Sequence, residues 1–265
     1  MLVLLPPSEK KAEPSRRAAS LDLDGLSFPD LTEHRARVAD ALVKLSTGPT
    51  GRALTSLKLT AGQQDELDRN AALLTAPATK VADLYTGVLY DNLDLATLPS
   101  GARRRATNQL VIASALFGAL RLTDRVPAYR LSAGVTLPGV GVVTTSWRSL
   151  LHDAMTVAAG HGLVLDLRSS AYAPMWQPDA ALAERTITVR VLHERVPGDR
   201  SSRVVVSHFN KATKGRLVRE LLLSGARPRT PEDVAEAWIA EDRSVELHER
   251  RSNKPRAIDV VVAEV

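Results

Sequence analysis

The chain has 265 residues, of which 44% are hydrophobic and 25% charged, as is ordinary for a globular protein with a sizeable core. It contains no cysteine, so disulfides, thiolate metal ligands and a cysteine nucleophile are excluded. The formal net charge of +5 favours an anionic partner such as nucleic acid or a phosphate ester. Since no apolar run reaches the roughly 20 residues that span a bilayer, we expect a soluble, cytoplasmic protein without a membrane partner.

The first apolar segment, residues 1–5, predicts a short buried strand that Pro6 and Pro7 end. The polar residues 8–11 follow this strand directly. A polar group at the end of a buried strand can contact a phosphate or a carboxylate, and an ordinary charged loop is the alternative interpretation.

Helical spacing of apolar residues predicts a helix over 31–45, with Thr32 as its N-cap, and a second helix over about 61–74. A short glycine-containing turn, 57–62, lies between them. The pair forms either an ordinary helical hairpin or a helix-hairpin-helix, in which backbone N–H groups point at a phosphate and read no bases.

The stretch 113–134 sets charged side chains directly behind an apolar run, 110–116, which is either a buried strand or the start of a helix. Arginine and aspartate are rarely buried unless they are paired. The stretch is therefore either part of a binding site or a solvated loop whose charges pair with each other. The charged and aromatic residues concerned are Arg121, Asp124, Arg125, Tyr129 and Arg130.

Residues 137–141 predict a turn between two short strands, and a helix is expected from Trp147 to about Ala159. Residues 163–167 predict a strand. The polar residues 168–172 stand at its carboxyl end, where ligands of α/β sheets commonly bind.

A dense basic cluster lies near the N-terminus of the predicted helix 217–223, and it also contains His208. Because a helix N-terminus attracts anions, this cluster is the best anion site that the sequence offers. The alternative is the solvated start of an amphipathic helix. The basic residues are Lys211, Lys214, Arg216 and Arg219.

The usual signatures of hydrolases, nucleotide-binding loops and metalloproteases are missing, and the six histidines show no metal-ligand spacing. We therefore predict no metal and no cofactor. The aspartates, lysines and tyrosines that remain can bind phosphate, and they could also support acid–base or glycosyl-transfer chemistry.

Long motifs in the right order give the chain a specific resemblance. They are LPPSEK at 5–10, YTG at 85–87, 114–124, 127–134, Trp147, 166–172 and 207–215. On these motifs the chain resembles the YaaA family of bacterial peroxide stress proteins. The resemblance implies a single α/β domain over 1–265, with a mixed sheet flanked by helices and a basic cleft. It also implies a helix-hairpin-helix element around 58–62.

The family resemblance further implies DNA binding and a part in limiting intracellular iron and oxidative DNA damage during peroxide stress. In this first hypothesis the phosphates bind Lys10, Arg121, Arg130, Lys211, Lys214 and Arg216. A base or sugar then stacks on, or hydrogen-bonds to, Tyr85, Tyr129, Ser169 and Tyr172. The alternative hypothesis is an enzyme that acts on a nucleotide or nucleobase-like small molecule in the same cleft, with Asp124 or Asp166 as the catalytic carboxylate.

Overall fold

A computed structural model describes residues 1–251 and 253–262, except for the side chains of Ser207 and His208. The helices are α1 (Thr32–Ser46), α2 (Thr50–Leu57), α3 (Asp65–Ala71), α4 (Val81–Leu84), α5 (Val88–Leu93), α6 (Ser100–Gln109), α7 (Val143–Ser146), α8 (Arg148–Ala159), α9 (Ala180–Ala183), α10 (Ser207–Ser224) and α11 (Pro231–Ile239). The strands are β1 (Leu2–Leu5), β2 (Thr79–Lys80), β3 (Leu110–Ser114), β4 (Gly118–Arg121), β5 (Arg125–Val126), β6 (Thr136–Leu137), β7 (Gly141–Val142), β8 (Val164–Asp166), β9 (Thr186–Glu194), β10 (Arg203–Val204), β11 (Ser244–Leu247) and β12 (Arg256–Val262).

The main sheet has the strand order β11-β12-β9-β8-β1-β3-β4, and β10 also pairs with β9. The five strands from β12 to β3 run parallel, whereas β11 and β4 are antiparallel to their neighbours. The predicted α/β fold with a mixed sheet and flanking helices is therefore confirmed. Because parallel strands end at the same edge, the segments that follow β1, β3 and β8 lie side by side.

The central strands are buried on both faces, which explains why they read as continuous apolar runs. Every residue of β1 and β3 is buried. The core around them contains the indole rings of Trp147, Trp176 and Trp238 and the thioethers of Met155 and Met175. Among the described residues, no helix is both long and apolar enough to cross a bilayer.

The predicted helices near the N-terminus are confirmed with changed boundaries. Thr32 is the first residue of α1 rather than its cap, and the residue at the cap position is Leu31. The second predicted helix, 61–74, is a 3₁₀ turn (Ala61–Gln63) followed by the short helix α3. Helix α2 was not predicted, because the glycines and proline at 48–51 suggested a loop.

The apolar run 110–116 begins as strand β3, so it is a buried strand and not the start of a helix. Strand β3 forms a hairpin with β4. The predicted turn at 137–141 is confirmed as the β6–β7 hairpin. The sequence also predicts a helix over 231–239 with Thr230 as its N-cap. Helix α11 confirms this prediction, because the Thr230 hydroxyl accepts the backbone N–H of Asp233 at 3.2 Å.

Helix α10 differs most from its prediction, since it begins at Ser207 and not near Leu217. The basic cluster therefore lies inside a helix of 18 residues rather than at its start. Tertiary packing decides this, because α10 packs closely against α5 at Gly215. Only Lys211 remains near the first turn, so the argument from the helix dipole no longer applies to the whole cluster.

Replacing Gly215 by alanine should test how tightly α10 packs on α5. A Cβ at this position would overlap the Leu89 carbonyl oxygen and come within 3.0 Å of the Asn92 Cβ. We expect Gly215→Ala to lower the free energy of unfolding by about 1–3 kcal/mol in urea denaturation. The matched control is Gly51→Ala in α2, where a Cβ meets nothing within 4 Å. The control should be neutral or stabilise by up to about 1 kcal/mol, and equal effects of the two substitutions would contradict this packing.

Candidate functional site

The segment that follows β1 pairs in extended conformation with the end of α4. Lys11 forms an antiparallel bridge with Tyr85, and the backbone N–H of Ala12 donates to the Leu84 carbonyl at 2.8 Å. Successive side chains of an extended chain point to opposite sides. Lys10 is accordingly exposed, whereas Lys11 is partly buried.

The Lys11 ammonium lies over aromatic rings and against carbonyl oxygens. Its Nζ is 4.2 Å from the centroid of the Tyr129 ring and 5.5 Å from that of Tyr85. It donates to the Ser8 carbonyl at 3.0 Å and to the Glu9 carbonyl at 3.4 Å. These contacts fix the amine in place without a carboxylate in direct contact.

The protonation of Lys11 is strongly perturbed. Burial, with help from the charge of Arg130, lowers the pKa of Lys11 from 10.5 to about 7. Glu66 and Glu9 act in the opposite direction, and Arg69 adds slightly to the lowering. A lysine that is partly neutral near pH 7 is a candidate base or nucleophile.

A chain of buried hydroxyl groups lies beneath Lys11. The Tyr129 hydroxyl is 2.9 Å from the Tyr85 hydroxyl and 2.7 Å from the Ser114 Oγ. Burial raises the pKa of both tyrosines, so their hydroxyls stay protonated at neutral pH. With the residues only 3% and 2% exposed, the two rings are part of the core. That Tyr85 and Tyr129 stack on, or hydrogen-bond to, a base or sugar stays a prediction, and their burial leaves little ring surface for stacking.

Arg130 presents an enclosed guanidinium group that is incompletely paired. Its side chain is 15% exposed, and one terminal nitrogen lies 3.1 Å from a Glu9 carboxylate oxygen. The buried Nε has no hydrogen-bond partner among the described residues. The Asn70 side chain holds the Arg130 backbone through two hydrogen bonds of 2.8 and 2.9 Å. Because the Glu9 side chain is 72% exposed, a ligand anion can replace it at low cost.

Tyr172, which follows β8, lies close to Tyr129, Glu9 and Arg130. Burial raises the pKa of Tyr172, the neighbouring Tyr129 and Glu9 raise it further, and Arg130 opposes them. The Ser169 carbonyl accepts the N–H of Tyr172 at 2.9 Å, which fixes the turn that carries this ring. The following residues constitute what we call the Lys11 site: Glu9, Lys11, Tyr85, Ser114, Tyr129, Arg130 and Tyr172.

Both predicted catalytic aspartates are fully engaged in hydrogen bonds. The Asp124 carboxylate accepts from the N–H and hydroxyl of Ser27 and from the Arg121 N–H, at 2.7–2.9 Å. The Asp166 carboxylate forms a bidentate ion pair with Arg168, with distances of 2.7 and 2.9 Å. These contacts stabilise turns, and a catalytic role of either aspartate stays a prediction.

The remaining predicted phosphate ligands occupy different surroundings. Arg121 donates to the Asn108 carbonyl at 3.0 Å, and Arg216 donates to the Asn92 side chain at 2.9 Å. The buried Lys214 ammonium donates to the Leu167 carbonyl at 3.2 Å, and burial lowers its pKa. Lys211 is exposed. The side chain of His208, which the sequence placed in the same cluster, lies outside the described residues.

Three residues of the Lys11 site were missed by sequence reasoning, namely Glu9, Lys11 and Ser114. Of the two lysines after β1, Lys10 was chosen although Lys11 is the one that points inward. The alternation of an extended segment could have indicated that only one of them faces the protein, but not which one. Within residues 1–251 and 253–262, no group of three or more histidine, aspartate or glutamate side chains could hold a metal ion.

Comparison with known proteins identifies the family. The family described as peroxide stress protein YaaA matches residues 1–241. The chain belongs to this family. A UPF0246 protein of Streptomyces coelicolor is 48% identical over 266 residues, which cover 100% of both chains. A UPF0246 protein of Corynebacterium efficiens is 40% identical over 255 residues, 95% of this chain and 97% of that one. A UPF0246 protein of Ruegeria sp. is 30% identical over 235 residues, 85% and 87% of the two chains.

The family resemblance places a helix-hairpin-helix at the turn that joins α2 to α3. This turn begins with Lys58 at a φ of 56° and continues into the 3₁₀ turn, where the Gln63 side-chain oxygen accepts the Thr60 backbone N–H at 3.1 Å. Two short helices therefore flank the predicted position. DNA binding by this element and the presence of a basic cleft stay predictions.

Replacing Lys11 by methionine should change how stability depends on pH. Below about pH 7 both the folded and the unfolded chain carry the Lys11 proton, so the cost of burying its charge is fully present. As the pH rises from 7 towards 10.5, the folded protein releases this proton first and gains stability. Lys11→Met removes that gain, which we expect to be on the order of 3 kcal/mol.

Urea unfolding of the two proteins at several pH values measures the difference. Lys10→Met is the matched control, because Lys10 is exposed and adjacent. It should keep the pH dependence of the unsubstituted protein. An identical pH dependence for Lys11→Met would show that Lys11 is not desolvated.

Proposed function

We propose that this protein acts in the cytoplasm during peroxide stress by binding DNA through its phosphates, and that it helps to limit intracellular iron and oxidative DNA damage. The observation that carries the proposal is the presence of two exposed lysines, Lys10 and Lys211, that make no ion pair with any described residue. Membership of the peroxide stress protein YaaA family and the net charge of +5 support it.

The two lysines belong to the same end of the sheet. Lys10 follows β1, whose neighbour in the sheet is β8. Lys214 contacts the Leu167 carbonyl just beyond β8, which fixes this part of α10 at the carboxyl end of the strands. Lys211 lies about one helical turn before this contact in α10, and its side chain is exposed.

Such a surface recognises the DNA backbone and not its sequence. Flexible, exposed lysines attract phosphates electrostatically and release counterions, while they read no base edges. The turn between α2 and α3 would add backbone N–H groups as phosphate donors. The tyrosines are not needed for this binding, because phosphate contacts supply most non-specific affinity.

The salt dependence of DNA binding tests the proposal. Fluorescence anisotropy with a labelled duplex should show a steep loss of affinity between about 50 and 200 mM salt. Lys10→Ala and Lys211→Ala should each reduce the slope of log K against log salt by about 0.9. The control is Arg37→Ala, which removes an exposed charge that is already paired with Glu33 on α1. Failure to bind duplex or branched DNA even at low salt would refute DNA binding.

A second candidate function is an enzyme that acts on a nucleotide or nucleobase-like molecule at the Lys11 site. The observation that favours it is the enclosed Arg130 guanidinium, with its unpartnered Nε and an exposed carboxylate as its ion-pair partner. One enclosed arginine suits a single phosphate or carboxylate group better than a DNA backbone, because only 15% of its side chain is exposed.

Thermal unfolding in the presence of nucleotides tests this candidate. A nucleoside monophosphate at a hundred times its dissociation constant should stabilise the protein by about 2.7 kcal/mol. Arg130→Met should abolish the stabilisation, and Arg37→Met should leave it unchanged. If no nucleotide or nucleoside raises the unfolding temperature, the nucleotide assignment is wrong.

A further inference from the structure

The Lys11 amine stands in surroundings that are unusual for a lysine. Among the described residues it makes no ion pair, and its hydrogen bonds go to two backbone carbonyls. The centroid of the Tyr129 ring lies 4.2 Å from its nitrogen. The charged groups that face it are Glu9 from its own segment, Glu66 and Arg69 from α3, and Arg130 from the segment after β5.

Burial and the charge of Arg130 favour the neutral amine, and they act against the carbonyl oxygens and the ring face, which favour the ammonium. A lysine becomes nucleophilic near neutral pH when it is desolvated and when another cation lies close to it. Lys11 meets both conditions, with Arg130 as the neighbouring cation. Near pH 7 the neutral fraction of the Lys11 amine is therefore far larger than that of a lysine of ordinary pKa.

The ligand can be specified from the same contacts. A neutral amine reacts most readily with a carbonyl carbon, and an incompletely paired guanidinium binds phosphate or carboxylate. We propose that Lys11 forms an imine with an aldehyde or ketone whose phosphate or carboxylate group is bound by Arg130. This inference rests on the second candidate function, in that both place an anionic ligand group against Arg130.

The reaction balances without an oxidant or reductant. The Lys11 nitrogen attacks the carbonyl carbon, and a proton moves from nitrogen to oxygen to give a carbinolamine. The carbinolamine then loses its hydroxyl group and a proton as one water molecule, which leaves a carbon–nitrogen double bond. Tyr129 acts as a positioning residue, because its hydrogen bonds to Tyr85 and Ser114 hold the ring under the amine.

Reductive trapping tests the proposal on the full chain. The probe is pyridoxal 5′-phosphate, which carries an aldehyde and a phosphate, with sodium cyanoborohydride to reduce any imine. Peptide mapping by mass spectrometry after a short reaction at neutral pH should place the adduct on Lys11. The labelling rate should rise with pH through about 7, whereas labelling of ordinary lysines rises only near their much higher pKa.

Matched variants separate binding from reactivity. Lys11→Arg should abolish the adduct, and Lys10→Arg should leave it unchanged. Pyridoxal without the phosphate, and Arg130→Met with the full probe, should each label Lys11 at least tenfold more slowly. The pH profile of the unsubstituted protein decides the question even if a variant fails to fold. Labelling confined to Met1 or to exposed lysines would overturn the proposal.

A competition experiment distinguishes this inference from the nucleotide assignment. If a nucleotide binds at Arg130, it should slow the labelling of Lys11. Labelling of Lys11 that no nucleotide slows supports the imine and counts against the nucleotide. Nucleotide binding without any labelling of Lys11 overturns the imine alone.

Discussion

The turn between β3 and β4 is completely buried, and the site depends on how its polar groups are satisfied. A buried turn must find hydrogen-bond partners for its backbone. Arg35, itself fully buried, donates to the Phe117 carbonyl at 3.0 Å, and the Trp147 indole donates to the Ala115 carbonyl at 2.8 Å. The Phe117 N–H donates to Ser114, which in turn contacts the Tyr129 hydroxyl. Although burial lowers the pKa of Arg35 to about 10, the guanidinium stays charged at neutral pH and continues to hold the turn. The floor of the Lys11 site is thus an extension of the hydrogen bonds that satisfy this turn.

The fold could be predicted where local pattern and burial agree. Continuous apolar runs became parallel strands buried on both faces, and the capped helix at Thr230 began where its side chain indicated. The start of α10 could not be predicted, because its first half is polar and its position depends on contact with α5. Strand β11 was missed for the same reason, since its partly buried residues form a strand by pairing with β12. Packing partners that are distant in sequence decided both cases.

The candidate site was predicted in outline and not in detail. The family resemblance, and not local pattern, grouped residues of the segments after β1, β3 and β8, and the structure shows that these strands end at the same edge of a parallel sheet. The sequence could not decide between Lys10 and Lys11, since that choice depends on the bridge of the segment with Tyr85. Nor could composition show that Tyr85 and Tyr129 are buried, because tyrosines occur both in cores and at binding surfaces.

The sulfur chemistry of this core has a consequence for a protein of the peroxide stress family. Hydrogen peroxide attacks thiolates and, more slowly, exposed thioethers. The sequence has no cysteine and three methionines, and Met155 and Met175 are buried beside the sheet. Oxidation of either thioether would require the core to open. The protein therefore has no thiol through which it could sense peroxide, and its packing shields these two thioethers from oxidant in solution.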